Sequence, residues 1–213
     1  MSKIDTNETL VVRNFDIKDF RASEEDYNLE GHAAVFNQAV SIGGWFTEII
    51  ERGAFDGCDL SDVSLFVNHN DNTIPLARSR ENNNNSTMKL EVDDKGLFIR
   101  AKLDIDNNQE AKTLHSSVSR GDIDGMSFSF RIKEQVWENL DTKMPTRRIK
   151  KISKVYEVSA VNHPAYSNTD VNARDKKALD NAIKEIKEAR NINDKNTLEI
   201  ERLKIEILNK REV

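Results

Sequence analysis

A serine beside an imidazole that a carboxylate orients can carry acyl transfer, and three stretches of this chain offer those residue types on strand-like runs. Residues 65–70 (LFVNHN) deliver His69 to the end of an apolar run, where a loop begins. A rigid strand end is a suitable mount for a catalytic imidazole, although a histidine there can also simply end a strand. Residues 121–130 (GDIDGMSFSF) alternate strictly from Met126 onward. Met126, Phe128, Phe130 and Ile132 fall on one face, and Ser127, Ser129 and Arg131 on the other. A serine on a polar strand face beside aromatics can meet a base on a neighbouring strand; the ordinary alternative is a serine that faces water. In residues 154–169 (KVYEVSAVNHPAYSNT), Glu157 interrupts an apolar run. Alternation puts it with Val155, Ser159 and Val161. A carboxylate in such company needs a partner, which is either an imidazole or a nearby Arg or Lys.

Other chemistries find less support. The remaining histidines are His32 within a strand run, His115 on a charged helix and His163 near the end of the apolar segment. The first two read as structural or exposed. No HExxH, no paired-cysteine spacing and no glycine-rich phosphate loop occurs, so no metal or cofactor is expected. The single cysteine, Cys58, makes no internal disulfide and suits a reducing compartment. The 213 residues carry a net charge of −5, which gives no general pull toward nucleic acid. Residues 1–10 lack an apolar signal core, and no run reaches the roughly 18 apolar residues of a membrane span.

The elements that must position these residues are mostly strands. Strand-like runs cover residues 9–16, 27–36, 63–68, 87–92, 96–103, 126–132, 148–156 and 158–161. Asp93-Asp94-Lys95-Gly96 is a hairpin signal. Many short strands separated by turns predict a mainly β fold, a barrel or a rolled sheet, with peripheral helices. Residues 53–58 suit one short helical turn. Residues 107–119 suit a helix with an Asn cap and apolar Ala111, Leu114 and Val118. Residues 81–86 (ENNNNS) read as an exposed loop. The domain therefore spans 1–166, followed by a polar linker at 167–175. Residues 176–213 form an amphipathic helical tail in two stretches, interrupted near 191–196. That tail cannot bury its apolar stripe alone, and self-association or partner binding is preferred over docking on the domain.

These segments, in this order, resemble the prohead (procapsid) maturation proteases of tailed bacteriophages, from about residue 30 to about residue 168. The likeness lies in GHAAVFN from Gly31, EIIERGAF from Glu48, VNHN at His69, PLARS from Pro75 and DDKGLFIRAKL from Asp93. RGDIDGMSFSF resembles the family's Gly-Met-Ser-Phe-Gly-Phe, with Ser129 in place of its second glycine. YEVSAVNHPAY resembles its Glu-Val-Ser-x-Val-x-x-Pro-Ala. The resemblance implies a closed antiparallel β-barrel related to herpesvirus assemblin. It implies a serine endopeptidase that cleaves scaffold, capsid-protein extension and itself inside the assembling procapsid in the host cytoplasm. By motif match the nucleophile falls on Ser127, the base on His69 and the third member on Glu157. Ser129 and His163 stay open as alternatives for the first and third roles. Arg147 or Arg148 is the oxyanion candidate, by analogy only. The partners implied are the major capsid protein and scaffold segment as substrates, and a second copy through the C-terminal helix. A non-catalytic scaffolding protein that keeps the barrel is the alternative reading; a β-barrel nucleic-acid binder ranks behind it, given the net negative charge.

Overall fold

The computed structural model describes residues 10–15, 19–23, 28–162 and 173–211. The chain passes through β1 (Leu10–Phe15), β2 (Arg21–Ala22), β3 (Leu29–Val35), β4 (Val40–Ile42), β5 (Phe46–Ile50), β6 (Ser64–Val67), β7 (Ala77–Arg78), β8 (Met88–Val92) and β9 (Gly96–Ala101). Then come α1 (Gln109–Ser119), β10 (Gly125–Glu138), β11 (Thr146–Val161) and α2 (Ala173–Arg211). The fold is mainly β with two α-helices.

Two sheets form. One has four strands in the order β2-β3-β9-β8, and the other has seven. In the larger sheet β10 and β11 make a long antiparallel hairpin, with β1 antiparallel on the outer edge of β10. The other edge of β11 takes β5 at its start and β6 near its end, both parallel. Residues 46–67 thus run alongside β11 in one direction. The expected closed antiparallel barrel is not what these pairings give: among the described residues the strands form two sheets, and two of the pairings are parallel. The parallel pairings arise because one 16-residue strand, β11, offers an edge long enough for two successive short strands.

Alternation explains the core. Met126, Phe128, Phe130 and Ile132 of β10 are fully buried or nearly so. They join Leu29, Leu97 and Ile99 of the smaller sheet and Ala111, Leu114 and Val118 of α1 in one apolar cluster. Phe128 and Phe130 stack at 4.3 Å between ring centroids. Removing that apolar surface from water is the main stabilising term. The β8–β9 hairpin closes as its sequence predicts. Asp93 Oδ1 accepts from the N–H groups of Lys95 and Gly96. A Cβ on Gly96 would sit 1.9 Å from the Ala34 carbonyl oxygen, so only glycine fits there. Helix α1 starts where expected, with the Asn108 side chain accepting from the N–H groups of Glu110 and Ala111.

Several local expectations are corrected. Residues 53–58 form successive turns instead of a helical turn. Strands β10 and β11 run well beyond the apolar stretches, because Gln135 and Arg147 are buried with partners and need not end the strands. The tail is one continuous helix of 39 residues, with no break near 191–196. Its first half docks on the domain, against the preference for self-association over docking. Ala178, Ala182, Ile186 and Ala189 are buried, and Ala182 and Ile186 cover Phe46 and Trp137. Small alanines let the helix approach closely. Glu185 accepts from Gln135 Nε2 at 2.6 Å, and Arg190 donates to the carbonyls of Leu140 and Thr142. Beyond Arg190 the helix exposes Ile192, Leu198, Ile200 and Leu203. No helix among the described residues is long and apolar enough to cross a membrane.

Candidate active site

Strand β6 ends at Val67, and the next two residues turn the chain back over the sheet. Asn68 and His69 both hold positive φ, +50° and +57°. Non-glycine residues adopt this region at a cost, and two in succession need outside support. Support comes from β11. The Asn68 N–H donates to the Ala160 carbonyl at 2.9 Å, and Asn68 Oδ1 accepts from the Asn162 N–H at 3.1 Å. The His69 N–H donates to Ser159 Oγ at 3.2 Å.

This turn swings the imidazole onto Glu157. His69 Nδ1 lies 2.6 Å from Glu157 Oε1, and both side chains are buried to about 90%, with side-chain exposures of 10% each. The carboxylate accepts, so Nδ1 is the donor and Nε2 keeps its lone pair when the ring is neutral. His69 Nε2 is buried and has no hydrogen-bond partner. An orphaned buried acceptor is uncommon and calls for a functional account. The other carboxylate oxygen is used as well: Ser159 Oγ donates to Glu157 Oε2 at 2.7 Å.

Glu157 reaches this position through a break in register. Ser129 pairs with Glu157, but the next residue of β10, Phe130, pairs with Val155, so Tyr156 is an extra residue on β11. The bulge puts Val155 on the core face with Phe130 and turns Glu157 to the serine face. Simple alternation, which groups Val155 with Glu157, is corrected here.

Ser127 is directly opposite Ser159, and Ser129 directly opposite Glu157. Directly opposed residues of an antiparallel pair share a face and lie about 4.5–5.5 Å apart at Cα. The two serines of β10 therefore sit one strand away from the two β11 side chains that hold His69. Ser127 is fully buried, and its Oγ donates to the Arg13 carbonyl of β1 at 2.9 Å. In this structure its hydroxyl thus points toward β1, and the contact to His69 is not made.

The remaining candidates fall elsewhere. His163 lies outside the described residues. His32 is buried between two carboxylates, with Nδ1 2.7 Å from Asp19 Oδ2 and Nε2 3.0 Å from Asp93 Oδ2, in a structural role. His115 approaches the Ser23 carbonyl. Burial and then the charge of Asp59 push the Cys58 thiol up to about 12, which keeps it from acting as a nucleophile at neutral pH. Arg147 and Arg148, the oxyanion candidates, both have carboxylate partners. Arg147 pairs with the buried Glu48 (Nε to Oε2, 2.8 Å), and Arg148 pairs with Glu138. Among the described residues no group of three or more His, Cys, Asp or Glu side chains could hold a metal ion.

A family model described as caudovirus prohead serine protease matches residues 14–185. The chain belongs to that family. No curated protein and no solved structure matches it. As a prohead serine protease family member it has a specific internal geography: the match takes in both serines, His69, Glu157 and the start of α2, and ends within the docked part of that helix. Ser159 and Asn68 are the site residues that sequence reasoning did not single out. The signal for Ser159 was its spacing two residues from Glu157, which puts it on the same face of a strand.

Proposed function

We propose that this chain is a serine endopeptidase of phage head maturation, with Ser127 as nucleophile, His69 as general base and Glu157 as the carboxylate that orients the imidazole. One observation carries the reading. The imidazole has one nitrogen bound by a carboxylate and the other buried and unpartnered, beside the strand that bears Ser127. In this reading the Ser127 side chain rotates away from the Arg13 carbonyl to present its hydroxyl to His69 Nε2. His69 takes the proton as Oγ attacks the peptide carbonyl, and Glu157 stabilises the imidazolium that forms. The same proton then goes to the leaving amine. A water, deprotonated by His69, hydrolyses the acyl-enzyme. No cofactor enters these steps.

The substrates in this reading are the scaffold segment, the capsid-protein extension and the protease itself, cut inside the procapsid in the host cell. Family membership supports a peptidase of prohead maturation; the particular substrates follow from the resemblance. The test is covalent labelling by a serine-directed fluorophosphonate, followed by peptide mass spectrometry. Label on Ser127 that is lost in Ser127→Ala supports the reading. A folded protein that takes up no label would leave the non-catalytic scaffolding role in its place.

A further inference from the structure

We propose that Ser159 is a positioning residue of the peptidase, which fixes the base and its carboxylate relative to each other; this rests on the reading of His69 and Glu157 given above. Ser159 is fully buried on β11, and its one hydroxyl serves both groups. It donates its proton to Glu157 Oε2 at 2.7 Å and accepts the main-chain N–H of His69 at 3.2 Å. Glu157 Oε1, the other oxygen, holds His69 Nδ1 at 2.6 Å. The result is a closed ring of contacts: His69 main chain to Ser159 hydroxyl, Ser159 to carboxylate, carboxylate to His69 ring.

The ring of contacts solves two problems. A carboxylate on a single hydrogen bond can rotate about its terminal torsion, which is broad. The Ser159 donor removes that freedom by occupying the second oxygen. His69 sits at φ +57°, a conformation that its own side chain disfavours. The Ser159 acceptor ties down its N–H and holds the strained turn over β11. The register adds to this. Ser159 is directly opposite Ser127, so the residue that anchors the base also neighbours the nucleophile across the hairpin.

The experiment measures inactivation of the full chain by a fluorophosphonate, which separates the binding constant KI from the chemical rate constant kinact. It also follows the low-field proton resonance of His69 Nδ1–H. Ser159→Ala is expected to lower kinact on the order of 10–100-fold, the usual cost of losing a supporting hydrogen bond or of a small misplacement. KI stays unchanged, and the His69 resonance moves upfield or broadens by exchange. Ser159→Thr, which keeps the hydroxyl, restores most of kinact and the resonance. Unchanged kinact in a folded Ser159→Ala overturns the proposal. So does a fall in kinact with an unmoved resonance and a lowered melting temperature, which would mark a merely structural serine. Glu157→Gln and Ser127→Ala run alongside. If both label like the parent, the underlying site assignment fails. If both are silent and Ser159→Ala labels at the parent rate, only the role of Ser159 fails.

Discussion

Ser127 and Ser129 lie on one face of β10, and each is opposite a different anchor of His69: Ser127 faces Ser159, and Ser129 faces Glu157. Register alone therefore leaves two hydroxyls near one base. Ser127→Ala should abolish cleavage of the capsid protein and of the chain itself when the proteins are expressed together, and Ser129→Ala should retain most of it. The opposite ranking on a gel would move the nucleophile to Ser129. For Glu157→Gln the expected loss is on the order of 10⁴-fold in single-turnover rate, because an amide can hold His69 in the wrong tautomer. His163→Ala should do less; a larger loss from His163→Ala would hand it the third role. At this scale the sequence pointed to candidate residues and was uninformative about geometry. An acid in an apolar strand has to find a partner, which marked Glu157. The turn of two left-handed residues that brings His69 back to it leaves no pattern, because asparagine and histidine occur in ordinary loops as well. The same holds for the bulge at Tyr156, which depends on how β10 and β11 pair and not on either strand alone.

At the scale of elements, the legible strands were those with clean alternation, such as residues 126–132, and the hairpin with its Asp-Asp-Lys-Gly turn. Strands β4 and β5 escaped notice because Val40–Ile42 is three residues long and Phe46–Ile50 carries Glu48 at its centre. That glutamate is buried between Arg13 (Nε to Oε1, 2.5 Å) and Arg147, so its charge belongs inside a strand. The helical tail was legible as a helix, and its docking was not, since alanines at 178, 182 and 189 give little hydrophobic signal while permitting close packing. Two truncations should behave differently. Removing residues 191–213 takes away only the part of α2 beyond the sheet, and the melting temperature should change little. Removing 173–213 uncovers Phe46 and Trp137 and leaves Gln135 without Glu185. That form should melt at least several degrees lower and scatter light at concentrations where the shorter truncation is clear. Equal melting temperatures for the two would mean that the docked half contributes nothing to the domain.

For the whole molecule, buried charge sets the response to acid. Burial alone would raise the Glu48 carboxyl, but the charges of Arg13 and Arg147 outweigh it and hold the group below the usual carboxylate range. Asp19 is lowered in the same way, with burial opposed by Lys95 and His32. A carboxyl whose folded pKa is depressed contributes stability that is full above its unfolded value, about 3.9 for Asp and 4.3 for Glu. That contribution is lost as pH falls through the folded value. Thermal stability should therefore be level near neutrality and decline below about pH 4. Glu48→Gln removes the buried carboxylate shared by Arg13 and Arg147 and should cost about 3–5 kcal/mol at pH 7. The gap between variant and parent should narrow as pH drops and Glu48 is protonated in the parent. Denaturant melts of the pair at pH 7 and at low pH check this; a gap that widens in acid would mean Glu48 is not the stabilising anion.

Strand β11 is the element against which everything else is aligned, and this has a consequence for synthesis of the chain. The proposed base, His69, comes from the turn after β6, but that turn is held by Ala160, Ser159 and Asn162, and its carboxylate partner is Glu157. Strand β10, which bears Ser127 and Ser129, gains its serine-face neighbours on β11 only when β11 pairs with it. Until about residue 162 has emerged, a nascent chain therefore has a serine and a histidine but no means of joining them. A protease that cuts its own assembly partners, as proposed for this chain, gains from such a schedule. Contacts of this sequence separation form late and slowly, so the proposed proteolytic centre is assembled only once the last strand of the domain has been made, and translation itself provides an interval during which neighbouring proteins are safe from it.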